Sequence, residues 1–237
     1  MYTVAILAGG LATRLRPVTA TIPKALIEVA DRPFISHQLE YLRAQGISSV
    51  VICIGFLGEL IQDFVGNGSA WGLDVVYSLD GPTLLGTGGS LKRALPLLGE
   101  EFFVLYGDSY LPVDYPSIQK TYAKNKKLGL MTILKNEHKW DKSNVEFDGI
   151  NIIEYNKENI RDEMKYIDYG LSILNALVLR KYPCKNSFDL STIYNKLSLD
   201  GQLAGFEIFE RFYEIGSLQG IADTNSYLLN KIKRDSI

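Results

Sequence analysis

Four short, uninterrupted apolar runs recur through the first 108 residues, and each is separated from the next by a segment with helical spacing. The runs are residues 4–7, "SSVVICIG" (48–55), "DVVYSL" (74–79) and "EFFVLYGD" (101–108). Between them, "PFISHQLEYLRAQG" places Phe34, Ile35, Leu39 and Leu42 on one helical face and stops at Gly46; "LGELIQDFVGNG" and "GGSLKRALPLL" read as two further helices. Strands that are apolar throughout, rather than on alternate residues, are buried on both faces. Joined by helices, they predict a parallel sheet covered on two sides.

Beyond residue 115 the pattern changes. "SIQKTYAKNKK" reads as an amphipathic helix with a basic face, whereas "LGLMTIL", "NVEFDG", "INIIEYN" and "YIDYGLSIL" read as strands, with "EFDGINI" as a hairpin. "STIYNKLSLDGQ" predicts a helix, "LAGFEIF" and "RFYEIGS" short strands, and "SLQGIADTNSYLLNKIKR" a terminal helix. This half is expected to form a lid or side wall. With no linker, repeat or low-complexity segment, residues 1–237 are read as one α/β domain with a mixed sheet.

Composition narrows the class. Hydrophobic residues make up 46% of the 237, charged residues 22%, and mean hydropathy is +0.02, values of a globular chain whose apolar runs are too short to span a bilayer. A net charge of -2 with no basic block argues against a nucleic-acid partner. The first ten residues lack the basic segment of a signal peptide and read as a strand, which leads to an expected cytoplasmic location. Cys53 and Cys184 stand apart in an apolar run and a loop, so neither a disulfide frame nor a zinc cluster is expected.

The loop "ILAGGLATRLRPVTATIPKAL" (6–26) leaves the first strand, and ligands of open parallel sheets bind at the carboxyl ends of strands. Gly9 and Gly10 let backbone amides approach an anion, and Arg14, Arg16 and Lys24 share the loop with no acidic residue. A triphosphate suits that arrangement. The loop follows neither the Walker A spacing nor Gly-x-Gly-x-x-Gly, so it is a third kind of phosphate loop. Asp108 ends the fourth apolar run, a carboxylate at the tip of a core strand.

The segment "LAGGLATRLRPVTATIPKALIEVADRPFI" (7–35), with Gly-Gly, Arg, Pro-Lys and a downstream Pro-Phe in order, resembles the signature of the sugar-1-phosphate nucleotidyltransferases, which make nucleotide sugars. The similarity runs along the whole chain. The short length and "LLGTGGSLKRALPLLG" are most similar to members that activate heptose 1-phosphate with GTP or N-acetylmuramate 1-phosphate with UTP. The resemblance implies a three-layer, Rossmann-like fold with a mixed, mostly parallel sheet and a small β-rich sugar-binding side. Residues 1–115 would bind nucleotide and 116–237 the sugar phosphate.

Carried over by position, the resemblance assigns Leu7, Ala8, Gly9, Gly10 and neighbouring amides to the nucleotide, with Thr13 bracing the loop. Arg14 would hold the departing β- and γ-phosphates, Lys24 would reach the reacting phosphates, and Gly86 and Thr87 would meet the base. Read locally, Gly86, Gly88 and Gly89 also describe a turn and a helix start capped by Ser90. Asp108 would bind Mg²⁺, with Glu214 where relatives carry an aspartate. On the sugar side stand Asn144, Lys157, Asp168 and Gly170, with Trp140 nearby; Asn156 replaces a usual glutamate, and Asp168 stands where asparagine is frequent. His37 and His138 are assigned no chemistry, His37 being read as structural.

The implied reaction joins a nucleoside triphosphate to a sugar 1-phosphate with loss of pyrophosphate. An acceptor phosphate oxygen is already anionic and needs no general base. The partners are those two substrates, with no nucleic acid or membrane, and a homodimer is one assembly open to the chain. Two other readings stay open: a cytidylyltransferase for a non-sugar phosphate or phosphonate, and a non-catalytic nucleotide-binding homologue. A metal-dependent glycosyltransferase fits less well, because "YGDSYL" has no Asp-x-Asp.

Overall fold

The computed structural model describes residues 1–11, 15, 18–136, 139–183 and 187–235. In chain order the elements are β1 (Thr3–Leu7), the two-residue strands β2 (Glu28–Val29) and β3 (Arg32–Pro33), α1 (Phe34–Ala44), β4 (Ser49–Ile54), α2 (Gly58–Val65) and β5 (Asp74–Leu79). Next come α3 (Gly86–Ala94), β6 (Glu101–Tyr106), β7 (Ser109–Tyr110), α4 (Tyr115–Asn125) and β8 (Gly129–Lys135). The chain continues through β9 (Val145–Phe147), β10 (Ile152–Tyr155), β11 (Tyr166–Asn175), α5 (Ala176–Lys181), α6 (Ser191–Leu199), β12 (Leu203–Ile208), β13 (Tyr213–Glu214) and α7 (Leu218–Asp235).

Strands β5, β4, β1 and β6 run parallel, with Val4 level with Val50 on one side and Phe103 on the other. Successive residues of these strands face opposite layers. Val4, Ile6, Val50 and Ile52 pack with Ile35, Leu39 and Leu42 of α1, Ile61 of α2 and Ile118 of α4. On the other side, Ala5, Val51, Phe102 and Val104 pack with Leu91 of α3, Leu179 of α5 and Tyr194 of α6. Two cores on one sheet make three layers. Each fully buried Ile or Leu contributes about 1.5–3 kcal/mol, so the sheet and its helices hold together mainly by this burial.

The second half forms its side of the molecule by extending this sheet, which is mixed as expected. Strand β11 lies antiparallel to β6, with Ile173 opposite Phe103, and carries β8 and β9 in turn; β12 then adds parallel to β8. The expected hairpin is present. Asp148 accepts backbone N–H bonds from Ile150 at 2.8 Å and Asn151 at 2.7 Å, turning β9 into antiparallel β10. Among the described residues, α5, the two-residue strands β2 and β3, and β7, which pairs β13, went unpredicted, as did several short 3₁₀ turns. Helix α3 stops at Ala94, two residues before Pro96, and a short 3₁₀ turn (Leu95–Leu97) follows.

Candidate active site

One cavity opens at the carboxyl ends of β1, β4, β5 and β6, a second adjoins it beside β11 and β13, and Tyr106 and Asp108 line both. The first measures about 240 Å³. Leu7, Ala8, Gly9 and Gly10 form one edge, Gly86 and Thr87 another, and Lys24 and Asp108 the side nearest the second cavity. A β-carbon on Gly9 would sit 3.1 Å from the Gly55 nitrogen, so glycine lets the loop after β1 press against the end of β4. Thr13, Arg14 and Arg16 lie outside the described residues, as do His138 and Cys184.

Gly86 has φ +69°, and its α-carbon faces the Phe188 carbonyl so closely that an added Cβ would come within 2.7 Å of it. Helix α3 is docked there by Phe188 N–H on the Leu85 carbonyl (3.0 Å) and Gly88 N–H on the Phe188 carbonyl (3.0 Å). The Thr87 hydroxyl accepts from Leu190 N–H at 2.8 Å. These contacts fasten the wall of the first cavity to the second half of the chain. Ser90 does not cap the helix: it lies inside α3, and its hydroxyl donates to Asp80 at 2.5 Å.

Asp80 is a residue that sequence reasoning missed. It is buried at the end of β5, and its other oxygen accepts Leu85 N–H at 3.2 Å, so one carboxylate sets the whole loop from β5 to α3. Its place at a parallel strand's carboxyl end, like that of Tyr106, was the available signal. Cys53 also faces this cavity, but burial pushes its thiol up to about 12, which leaves it protonated and inert. The His37 ring bonds the Val29 carbonyl at 2.8 Å inside α1, and burial lowers its pKa, so it ties α1 to β2 as a neutral group.

Between the cavities, Lys24 Nζ donates to Asp108 Oδ2 at 2.9 Å. Lys24 opens a 3₁₀ turn after Pro23, whose φ of -64° starts it. Glu214 reaches the same place through pairing of β13 with β7: it stands opposite Ser109, and Ile215 N–H bonds the Asp108 carbonyl at 2.9 Å. Its carboxylate accepts Gly216 N–H at 2.7 Å. Asp108, in the turn between β6 and β7, and Glu214 on β13 both line the second cavity and offer hard oxygen donors of the kind a divalent cation takes alongside phosphate and water.

The second cavity, about 700 Å³, is bordered by Asn144, Lys157, Asp168, Gly170 and Glu214, so the sugar-side residues predicted from sequence converge here. Asn144 Oδ1 accepts Asp168 N–H at 3.1 Å, and Asp168 Oδ1 accepts Gly170 N–H at 2.9 Å. Gly170 has φ +104°, where the chain turns within β11 and its register against β8 shifts. Burial raises the Asp168 carboxyl above its ordinary value, against the pull of Lys157 and of Gly170 N–H. Asn156 makes the turn that presents Lys157, its Oδ1 accepting Glu158 N–H at 3.0 Å and Asn159 N–H at 2.9 Å. Arg211, also missed, borders the cavity with its guanidinium 4.2 Å from the Trp140 ring and 2.6 Å from Asp223. Only tertiary pairing brings it there.

A glycine-edged cavity at parallel strand ends, joined through a lysine–aspartate pair to a larger cavity, defines an α/β protein with a two-part site at the carboxyl end of its sheet. The chain belongs to the Nucleotidyl transferase family, whose profile matches residues 3–182. It is 40% identical over 117 residues to N-acetylmuramate alpha-1-phosphate uridylyltransferase of Neisseria meningitidis serogroup B, a match covering 49% of this chain and 51% of that protein. The chain thus spans about half the length of that relative. It is 27% identical over 197 residues to D-glycero-alpha-D-manno-heptose 1-phosphate guanylyltransferase of Campylobacter jejuni, covering 81% and 86% respectively. A solved structure of HddC from Yersinia pseudotuberculosis complexed with GMP-PN has the same fold, with TM-score 0.81, 24% identity and coverage of 96% and 100%. Among the described residues no helix is long and apolar enough to cross a membrane.

Proposed function

We propose that the protein transfers a nucleotidyl group from a nucleoside triphosphate to a sugar 1-phosphate, releasing pyrophosphate. The observation that carries this reading is the meeting of the two cavities at Asp108, with Lys24 Nζ 2.9 Å away. The triphosphate lies in the first cavity and the sugar phosphate in the second. An acceptor oxygen forms a bond to the α-phosphorus in line with the bond that breaks, and the electron pair leaves with pyrophosphate. Gly9 and Gly10 bring backbone amides to the phosphates, Lys24 offsets charge at the α-phosphorus, Arg14 holds the departing phosphates, and Lys157 orients the acceptor phosphate. Leu7 and Ala8 back the loop, Thr13 braces it, and Gly86 and Thr87 border the base.

Asp108 and Glu214 are the residues that would hold Mg²⁺, which when bound supplies charge neutralisation at the phosphates. Asn144, Asp168 and Gly170 shape the sugar side. A cytoplasmic location and a homodimer complete the proposal. Measuring pyrophosphate release with Mg²⁺, across four nucleoside triphosphates and a panel of sugar 1-phosphates, tests it. One productive pair that is lost in Asp108→Asn, by about 1,000-fold or more, supports the reading; nucleotide binding with no release from any pair overturns it in favour of a non-catalytic binder.

A further inference from the structure

Resting on that reading, the charges of the second cavity specify its ligand more closely than the family does. Arg211 is neutralised by Asp223 at 2.6 Å, and the second Asp223 oxygen accepts Gln219 Nε2 at 2.8 Å. Lys157 is then the one cation lining this cavity that forms no ion pair with the described residues; its Nζ stands 6.0 Å from the Tyr155 ring centroid. A cation without a close ion-pair partner among the described residues, though Asp168 and Asp189 feel its charge, matches one phosphate. The carboxylate of Asp168 borders the same space, with only Oδ1 committed to the chain through Gly170 N–H at 2.9 Å. Asp141 likewise accepts the Lys142 N–H of its own loop while lining the cavity. Carboxylate oxygens of this kind accept bonds from hydroxyl donors and repel anions.

The Trp140 ring, already engaged by cations of the chain, is a poor seat for another class of ligand. A quaternary ammonium headgroup needs an open aromatic face. Two cations of the chain already lie over this ring, Arg211 at 4.2 Å and Lys139 at 4.9 Å from its centroid.

We infer that the second cavity selects a neutral polyhydroxylated sugar 1-phosphate, with Lys157 taking its one phosphate and Asp168 excluding acceptors that carry a further acid group. N-acetylmuramate bears such a group, a lactyl carboxylate, so this inference parts the chain from its uridylyltransferase relative on the acceptor.

Matched pairs test it: glucose, galactose and mannose 1-phosphates against their 6-carboxylates, and N-acetylglucosamine 1-phosphate against N-acetylmuramate 1-phosphate, with phosphocholine alongside. Turnover is read as kcat/KM, and binding separately by ligand-observed NMR with a non-hydrolysable triphosphate present. The neutral member of the productive pair should exceed the acid member by about 100-fold, and Asp168→Asn should narrow the gap to about 10-fold. Acid members within threefold of their neutral partners, phosphocholine bound more tightly than every sugar phosphate, or no acceptor bound at all would each overturn the inference. Preferential binding of neutral members without turnover upholds it while defeating the transferase reading.

Discussion

The two cavities are built from different materials. The first is edged by main chain: glycines at the end of β1 and the start of α3, positioned by Asp80 and by the Phe188 carbonyl. Side chains from β11, β13, α7 and the loops before β9, after β10 and before β13 border the second, including Trp140, Lys157, Asp168 and Arg211. Backbone amides serve any phosphate, whatever is attached to it, whereas side chains discriminate one acceptor from another. Conversion of the common chemistry into a particular reaction therefore falls to the second cavity, and substitutions in the two should fail in different ways.

The largest effect is expected where the cavities meet. Lys24→Ala should lower kcat by about 100-fold or more with little change in acceptor KM, because the cation acts on charge that develops during transfer. Single-turnover kinetics read this directly, and an effect confined to KM would move Lys24 from the reaction to ground-state binding. Gly88→Ala should next lose about 2 kcal/mol of stability, because its Cβ would run into the Phe188 ring, and denaturant unfolding measures it. An unchanged midpoint would mean that the wall of the first cavity yields where the packing indicates it should not.

Legibility in the sequence follows the same division. The parallel strands were readable because burial on both faces leaves unbroken apolar runs, and the loop at 6–26 because glycines and cations without acidic neighbours in sequence are local signals. Asp80 escaped notice because its role depends on Ser90 and on Leu85 N–H, groups brought to it only when α3 folds back over the strand end. Arg211 is a plain surface cation in sequence, and becomes part of a cavity only once β13 has paired with β7. Extension of the sheet by β11 was hidden for a related reason: "YIDYGLSIL" states a strand but not its partner. Resemblance supplied Lys157, Asp168 and Glu214, which no local pattern singles out.

A smaller effect is expected from the turn that carries Lys157. Asn156→Ala removes the acceptor of two backbone N–H bonds, worth about 1 kcal/mol, and should raise acceptor KM several-fold while nucleotide KM stays fixed. Asn156→Asp keeps the turn and should restore most of the loss. If both variants raise KM equally, the amide of Asn156 meets the ligand itself.

Asp168 gives the smallest effect and the one whose sign separates binding from folding. In the unfolded chain its carboxyl titrates near the ordinary 3.8; in the fold, burial raises it, opposed by Lys157 and Gly170 N–H. The folded protein holds the proton more tightly than the unfolded one. Stability contributed by this group is therefore fully present below about pH 4 and is lost as pH rises through the folded value. Asparagine does not titrate and can keep the bond from Gly170 N–H through its side-chain oxygen. Asp168→Asn should accordingly raise Tm at neutral pH, by roughly 2 °C, with the gain shrinking to nothing near pH 4. A carboxylate kept at a cost to the fold is held for what it excludes from the cavity, and a variant that gained stability without losing discrimination between neutral and acid acceptors would break that link.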